Sequence, residues 1–324
     1  MSYADTVFIN MCRNILTNGT DTSDDINRPH WPDGQTASTI KLPMVYNVYD
    51  LSKEFPALTL RPTAIKTAMD ELLWIWQKKS NNIHDLNSHI WDEWADDNGS
   101  IGAAYGYQLR QVNPYKSVSV EKLKEAFPDC VWKRTNLLVR KTDPGTVYGI
   151  VVPNKKGNNI IHMNQVDKVL YDLHHMPYSR RIMTSMYNFA DLDRMALHPC
   201  AYSMTFNVTK DADGNRVLNG LLNQRSNDVL TANNWNVVQY ALLIMMFAQV
   251  SGMKPGLLGH MIADAHIYDR HIDIISDLIK REPLPAPTVR LNPDVKNFYD
   301  FTTDDLIVEN YQKHPQVRNI PVAI

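Results

Sequence analysis

The sequence predicts a fold that mixes helices with strands, and three observations carry that prediction. PTAIKTAMDELLWIWQKK (62–79) sets Ile65, Ala68, Leu72, Leu73 and Trp76 at spacings near three and four, the stripe of a helix turned toward a core. AYSMTFNV (201–208) alternates instead, with Tyr202, Met204, Phe206 and Val208 in step, as a half-buried strand does. Residues 235–251 are apolar on nearly every face, which predicts a central helix covered on all sides.

The remaining elements follow in chain order. MSYADTVFINMCRN carries Asp5 early and has no long apolar core, so it does not read as a signal peptide. Pro62 opens the first helical stretch, and residues 164–176 read as another helix. DADGN (211–215) is a turn from which RVLNGLLNQ (216–224) returns as the hairpin partner of 201–208. It is not a calcium loop, because its glycine comes too early and no glutamate fills the twelfth position. In MIADAHIYDRH (261–271) an extended chain puts Asp264, His266 and Tyr268 on one face and Met261, Ala263, Ala265 and Ile267 on the other. Three polar groups on one face suggest a strand lining a pocket. His266 and His271 lack a cysteine or spaced carboxylate to complete a zinc site, so no metal is expected.

Composition narrows the classes. With 44% hydrophobic and 21% charged residues, the 324-residue chain supports a sizeable packed core, and no linker or repeat divides it. A net charge of −2 and a pI near 6.6 give no global field toward nucleic acid or anionic membrane. The most apolar run, YALLIMMFA (240–248), has nine residues, against about 20 needed to cross a bilayer. Three cysteines, Cys12, Cys130 and Cys200, are odd in number and unspaced, which predicts free thiols and a reducing cytoplasm rather than a disulfide framework. Residues 111–161 stand apart, with nine Lys/Arg against four Asp/Glu and prolines at 114, 128, 144 and 153. They read as a solvated excursion with some β structure, with a nucleic-acid patch around Tyr115, Trp132 and Tyr148 as the lesser alternative.

LHPCAY (197–202) poses the chemical question. Cys200 is either a small buried hydrophobe or a nucleophile, and its flanks alone leave both readings open. QRSND (224–228) supplies an Arg-Ser pair able to donate several hydrogen bonds to one phosphate, and YSRRI (178–182) supplies two more arginines.

Seven stretches then make the sequence recognisable: DELLWIWQ (70–77), HIWDEWADDNGSIGAAYGYQL (89–109), YSRRI, MALHPC (195–200), QRSNDV (224–229), DAHIYDRH (264–271) and the terminal PVAI (321–324). Together, and in this order, they resemble the thymidylate synthases of the folate-dependent family, over most of the chain except 111–161. WQKKSNN (76–82) and NRPHWPDG (27–34) look closer to a divergent branch found in some bacilli and their phages. The resemblance implies one α+β domain over residues 1–324, a large twisted mixed sheet flanked by helices, with one sheet face forming a homodimer interface and 111–161 inserted. It implies reductive methylation of dUMP to dTMP, with 5,10-methylenetetrahydrofolate as co-substrate, in the cytoplasm, without metal, membrane or nucleic acid.

Carried over residue by residue, the resemblance implies these roles. Cys200 adds to C6 of the pyrimidine. Arg225 and Ser226 bind the phosphate with Arg28, and Arg180 and Arg181 reach over from the partner subunit. Asn236 reads the uracil edge, and can also cap the helix that follows it. His266 and Tyr268 hold the deoxyribose 3′-hydroxyl. Glu71 organises proton transfers around uracil O4, and Tyr105 assists proton removal from C5. Ile90, Trp91, Asp228 and the carboxylate of Ile324 belong with the folate, Asp228 also within the catalytic set.

The chemistry asks for such residues independently. Uracil C5 is a poor nucleophile until a thiolate adds at C6 and makes it enolate-like. A free thiol is only slightly ionised at neutral pH, so nearby arginines that favour thiolate are expected. An amide can donate to O4 and accept from N3–H together, a pattern that mismatches cytosine. Glu71 on an apolar helix is expected to have a raised pKa suited to acid–base work. Some positions differ from the family pattern: Ala201 follows the nucleophile where a larger residue is usual, Ala232 and Ala263 replace glycines, and Pro29 removes a donor from the Arg28 loop. These differences keep two alternatives in view, a dUMP hydroxymethylase that lets water capture the one-carbon unit and a nucleotide- or RNA-binding regulator.

Overall fold

Helical spacing and alternation become elements largely where the sequence puts them in the computed structural model, which describes residues 1–115, 125, 130–132, 137–140, 147–153 and 159–324. The stripe after Pro62 forms α2, Ile65–Trp76, with Ile65, Ala68, Leu72, Leu73 and Trp76 all buried. The apolar run forms α5, Asn233–Val250, beginning two residues earlier than its periodicity suggests and buried on all sides through its middle. α4 covers Gln165–His175, and its Asn164 N-cap accepts from the Asp167 amide at 3.0 Å. The chain packs as two compact units.

Unit one comprises Met1–Leu72, Cys200–Tyr202 and Val217–Ile324. Its sheet centres on β12, Lys254–Tyr268. β12 runs parallel to β10, Arg216–Gln224, and antiparallel to β2, Thr39–Asp50, so the sheet is mixed. β1, Thr20–Asp21, extends it beyond β2, and β11, Asn227–Asp228, adds to β12 in parallel. Helices flank this sheet. α1, Tyr3–Asn18, packs Phe8, Ile9, Met11, Cys12 and Ile15 against Ile262, Ala265 and Ile267 of β12, and α5 packs against the same strand. Each such side chain, fully buried, contributes about 1.5–3 kcal/mol. α6, Ile272–Leu278, adds Ile275 and Leu278 to this cluster, and β13, Thr288–Leu291, pairs antiparallel with β14, Leu306–Glu309.

The alternation expected of 261–268 holds only in part. Ala265 and Ile267 are buried, but Met261 and Ala263 are exposed, and Ile262 joins Ala265 and Ile267 in one cluster. The pleat is interrupted opposite Met44, whose φ of +55° falls between the pairs Ile262–Val45 and Asp264–Pro43.

Asn234 ties the start of α5 to the segment that leads into α2. Its Oδ1 accepts from the Leu58 amide at 3.1 Å and from the Thr63 hydroxyl at 2.5 Å, while its Nδ2 donates to the Pro56 carbonyl at 2.9 Å. With all these groups buried or half-buried, the α2 residues that follow have little freedom relative to α5.

Unit two comprises Leu73–Pro199 and Ser203–Arg216. It contains a five-stranded antiparallel sheet in the order β3, β7, β6, β5, β4, formed by Asn113–Tyr115, Asn159–Met163, Val147–Pro153, Leu137–Arg140 and Cys130–Trp132. β structure in the 111–161 segment agrees with the sequence reading, but its nine basic side chains and those of Trp132 and Tyr148 lie outside the described residues. β8, Met183–Ser185, pairs antiparallel with the Ser203–Thr205 stretch of β9, Ala201–Lys210. The Asp211–Asn215 turn is closed by a 3.0 Å amide-to-carbonyl bond, with Gly214 at φ +83°.

Candidate active site

In unit one the end of β10, β11 and β12 gather the predicted groups. The register sets Asp228 opposite His266 on β12, and Lys41 of β2 opposite His266 from the other side. Cys200 lies at the start of β9, where its carbonyl accepts from the Arg225 amide at 2.9 Å and its Sγ lies 3.6 Å from Arg225 Nη2. The sulfur is half-buried. Burial pushes the thiol up, and the guanidinium groups of Arg225 and Arg28 pull it back without cancelling the burial. The arginines therefore act in the expected direction, and their full effect is opposed by desolvation. Ser226 follows Arg225, half-buried, and Arg28 is exposed on its loop.

Asp264, His266 and Tyr268 do share a face. His266 Nδ1 lies 2.9 Å from Asp264 Oδ1, and the rings of His266 and Tyr268 meet edge to face at 5.1 Å. Lys41 Nζ reaches Asp264 Oδ2 at 2.8 Å. Burial alone raises the Asp264 carboxyl, but the His266 and Lys41 bonds hold it below its usual range. The Tyr268 phenol is pushed up to about 12, chiefly by burial and then by the Asp228 charge.

Asp228 shapes the turn into α5. Its Oδ1 accepts from the amides of Leu230 at 2.9 Å and Thr231 at 3.2 Å, and its Oδ2 accepts from the Thr231 hydroxyl at 2.6 Å. His271 stands 3.6 Å away and, against the effect of burial, helps keep the carboxylate ionised. His271 Nε2 holds the Pro321 carbonyl at 2.8 Å, and Ile324 exchanges backbone bonds of 2.8 and 2.9 Å with His30. The C-terminal residues are thereby docked beside the Arg28 loop. That loop is pinned by Trp31, which donates to Asp269 at 3.1 Å and packs edge to face on Tyr268 and His271.

Asn236 and Glu71 belong to one polar chain, buried except at Trp235 and Asn236, which are half-buried. Glu71 Oε2 accepts from Trp235 Nε1 at 2.5 Å and Gln239 Nε2 at 2.6 Å. Gln239 Oε1 accepts from Asn236 Nδ2 at 3.2 Å, and Asn236 Oδ1 accepts from Gln224 Nε2 at 2.8 Å. Gln224 Oε1 meets His260 Nε2 at 2.6 Å and Asn227 Nδ2 at 3.1 Å. Asn236 does not cap α5, because the helix begins at Asn233 and Asn236 lies one turn inside it. A cleft of about 210 Å³ opens beside Trp235, lined by Arg61, Thr63, Thr231 and Gln316.

Unit two holds the aromatic candidates. Trp91, buried, packs on Tyr105 at 5.1 Å, Trp94 at 5.5 Å and Trp74 at 6.0 Å between ring centroids. Tyr105 caps α3, Gly106–Arg110, with φ +45°, a conformation that L residues rarely adopt. Gly106 follows because a Cβ there would lie 2.1 Å from the Ser80 carbonyl oxygen. Ile90, Arg180 and Arg181 are exposed. Among the described residues no group of histidine, cysteine, aspartate and glutamate is arranged to hold a metal, and no helix is long and apolar enough to cross a membrane.

Sequence alone does not mark out Gln224, Trp235, Gln239, His260 or Trp31, and it marks His271 only as a candidate metal ligand, not as the partner of Asp228 and Pro321. The signal for two of them was present: in NNWNVVQ the residues Trp235, Asn236 and Gln239 share one helix face within an otherwise apolar run.

A mixed sheet flanked by helices thus sets the Cys200 thiol beside Arg225 at its strand ends, and a polar chain on the flanking helices joins Glu71 to Asn236, an arrangement of the kind found in enzymes that act on a bound small molecule. The family profile described as thymidylate synthase matches residues 6–324. The chain is 37% identical to thymidylate synthase of Bacillus licheniformis, 36% to thymidylate synthase 1 of Bacillus subtilis strain 168 and 35% to thymidylate synthase of Bacillus phage phi3T, with both chains fully covered each time. The solved structure of the thermostable thymidylate synthase A from Bacillus subtilis superposes with a TM-score of 0.79 at 34% identity, covering 99% of each chain. The chain belongs to the thymidylate synthase family and is an enzyme of its methyltransferase class.

Proposed function

We propose that the protein methylates dUMP reductively to dTMP, with 5,10-methylenetetrahydrofolate as donor, through addition of the Cys200 sulfur to uracil C6. The observation that carries this reading is Cys200 Sγ lying 3.6 Å from the Arg225 guanidinium, within one unit that also holds Glu71 and Asn236. A nucleotide whose dianionic phosphate is gripped by the guanidinium beside Cys200 is anchored by remote binding energy, which aligns its ring carbon with the sulfur. The folate supplies a one-carbon unit and a hydride.

The chain's own residues divide the remaining work. Arg225, Ser226 and Arg28 take the phosphate. His266 and Tyr268, coupled edge to face and backed by Asp264, take the ribose hydroxyl. Asn236 reads O4 and N3–H. Glu71 holds and moves protons at O4, its carboxylate aimed by Trp235 and Gln239. Tyr105 assists loss of the C5 proton. Trp91 and Ile90 offer an apolar surface to the folate, Asp228 offers a carboxylate, and the docked Ile324 closes the C-terminal segment over the site. Arg61, in the cleft beside Trp235, offers a cation to a carboxylate of the co-substrate. Tyr46 and Met261, register partners and both exposed, support a homodimer through the sheet face, to which Arg180 and Arg181 would each be lent across the interface. We read residues 1–324 as a single synthase domain with 111–161 inserted.

The test combines tritium release from [5-³H]dUMP with the mass of the product. Folate-dependent release and a methylated product are expected. A hydroxymethyl product assigns the water-capture reaction instead, and no release together with tight, salt-dependent RNA binding assigns a regulator.

A further inference from the structure

Every hydrogen bond in the chain from Glu71 to His260 has a direction, and one end fixes them all. Gln239 Nε2 faces the Glu71 carboxylate at 2.6 Å and the Ala68 carbonyl at 3.3 Å, two groups that accept and cannot donate when the carboxylate is ionised. The nitrogen of Gln239 must therefore point at them and its oxygen toward Asn236. That oxygen demands a donor, so Asn236 turns Nδ2 to it and leaves Oδ1 for Gln224 Nε2. Gln224 Oε1 is then an acceptor, so His260 carries its proton on Nε2. Among the described residues the buried His260 Nδ1 has no partner, and a buried ring nitrogen left unpaired is better tolerated as an acceptor than as an N–H. Burial also pushes the ring's pKa down to about 3, so the imidazole is neutral at working pH.

The direction matters because of how the two pyrimidines differ. Uracil presents an acceptor at O4 and a donor at N3–H, whereas cytosine presents a donor at N4 and an acceptor at N3. An asparagine amide that rotates by half a turn exchanges its donor and acceptor, and so converts a reader of uracil into a reader of cytosine. Such a rotation needs only side-chain torsion unless both ends of the amide are engaged. In this protein both ends are engaged, and the direction is imposed from Glu71.

We infer that Gln239 is a specificity-determining positioning residue, which locks the Asn236 amide in the orientation that accepts dUMP and excludes dCMP. It rests on the reading of Asn236 as base reader, and it adds that the reader's orientation is set from a residue that does not touch the base. It also couples the carboxylate that handles protons to the amide that selects the base, since both bond to the same glutamine.

Equilibrium binding of dUMP and dCMP to the full chain tests this. In Gln239→Met, which keeps length and loses the bonds to Glu71, Ala68 and Asn236, the dUMP-over-dCMP preference should fall by about tenfold or more. Gln224→Met should lower it less, because Gln239 still holds Nδ2. A merely structural role would weaken both nucleotides together and leave the ratio in place. Asn236→Asp separates the two claims. If it fails to shift preference toward dCMP, the base-reader assignment is wrong and the inference falls with it. If it shifts the preference while Gln239→Met leaves the ratio unchanged, only the inference is overturned. Should Gln239→Met not fold, the ¹⁵N shifts of His260 in the wild-type protein decide: Nε2–H supports the direction argued, and Nδ1–H overturns it.

Discussion

Asn236 in unit one and Trp91 in unit two are both held firmly, by different means. Asn236 is caught between two amides whose directions descend from a carboxylate. Trp91 is caught between three rings at centroid distances of 5.1 to 6.0 Å, with contact area and shape rather than direction fixing it. Directional bonds can reject a ligand of the same size and different polarity, which is what uracil and cytosine require. Aromatic packing cannot make that distinction, but it builds a broad surface suited to a large flat co-substrate. Under the proposed function, each region suits the discrimination its ligand would demand.

The largest effect should come from the carboxylate end of the polar chain. Glu71→Gln is expected to lower kcat by about 10² to 10⁴, with a smaller change in KM for dUMP, because an amide cannot hold and release the proton at O4. A KM change without a kcat change would move Glu71 from chemistry to binding.

Next comes the aromatic region. Trp91→Ala should cost about 3–5 kcal/mol of stability in urea unfolding, from the cavity left among Trp74, Trp94 and Tyr105. It should raise KM for the folate while leaving the dUMP-over-dCMP ratio untouched. A change in that ratio would erase the contrast drawn between the two regions.

The smallest effect concerns pH. His260 is neutral when folded, with a pKa lowered from 6.5 to about 3 by burial, so below 6.5 the unfolded chain binds the proton and the folded one does not. Stability should therefore fall as pH falls below 6.5, by at most about 1.4 kcal/mol per pH unit from this group. His260→Asn should flatten that slope relative to wild type, measured by urea unfolding at stepped pH.

These contrasts also show what the sequence makes legible. The stripe in 62–79 and the alternation in 201–208 report burial, which depends on local period, and both elements form where that period lies. The onset of α5 is less legible, because Asn233, Asn234 and Trp235 do not look like an apolar face, yet Asn234 is buried through its bonds to Pro56, Leu58 and Thr63. The break in β12 is illegible, since it depends on the backbone of Met44 in another strand. Cys200 and Arg225 are legible as types, and their 3.6 Å approach arises from the Cys200 carbonyl bonding the Arg225 amide. The Glu71–Gln239 bond joins residues 168 apart in sequence, and no local pattern announces it.

The proposed methylation requires a bond between Cys200 Sγ and the pyrimidine. Its most direct test is peptide mass analysis of enzyme quenched during turnover of dUMP with the folate. The Cys200 peptide should carry the nucleotide, and Cys200→Ser should bind dUMP, carry no adduct and lose turnover. Turnover at a near-normal rate in Cys200→Ser, or an adduct on any other residue, would contradict it.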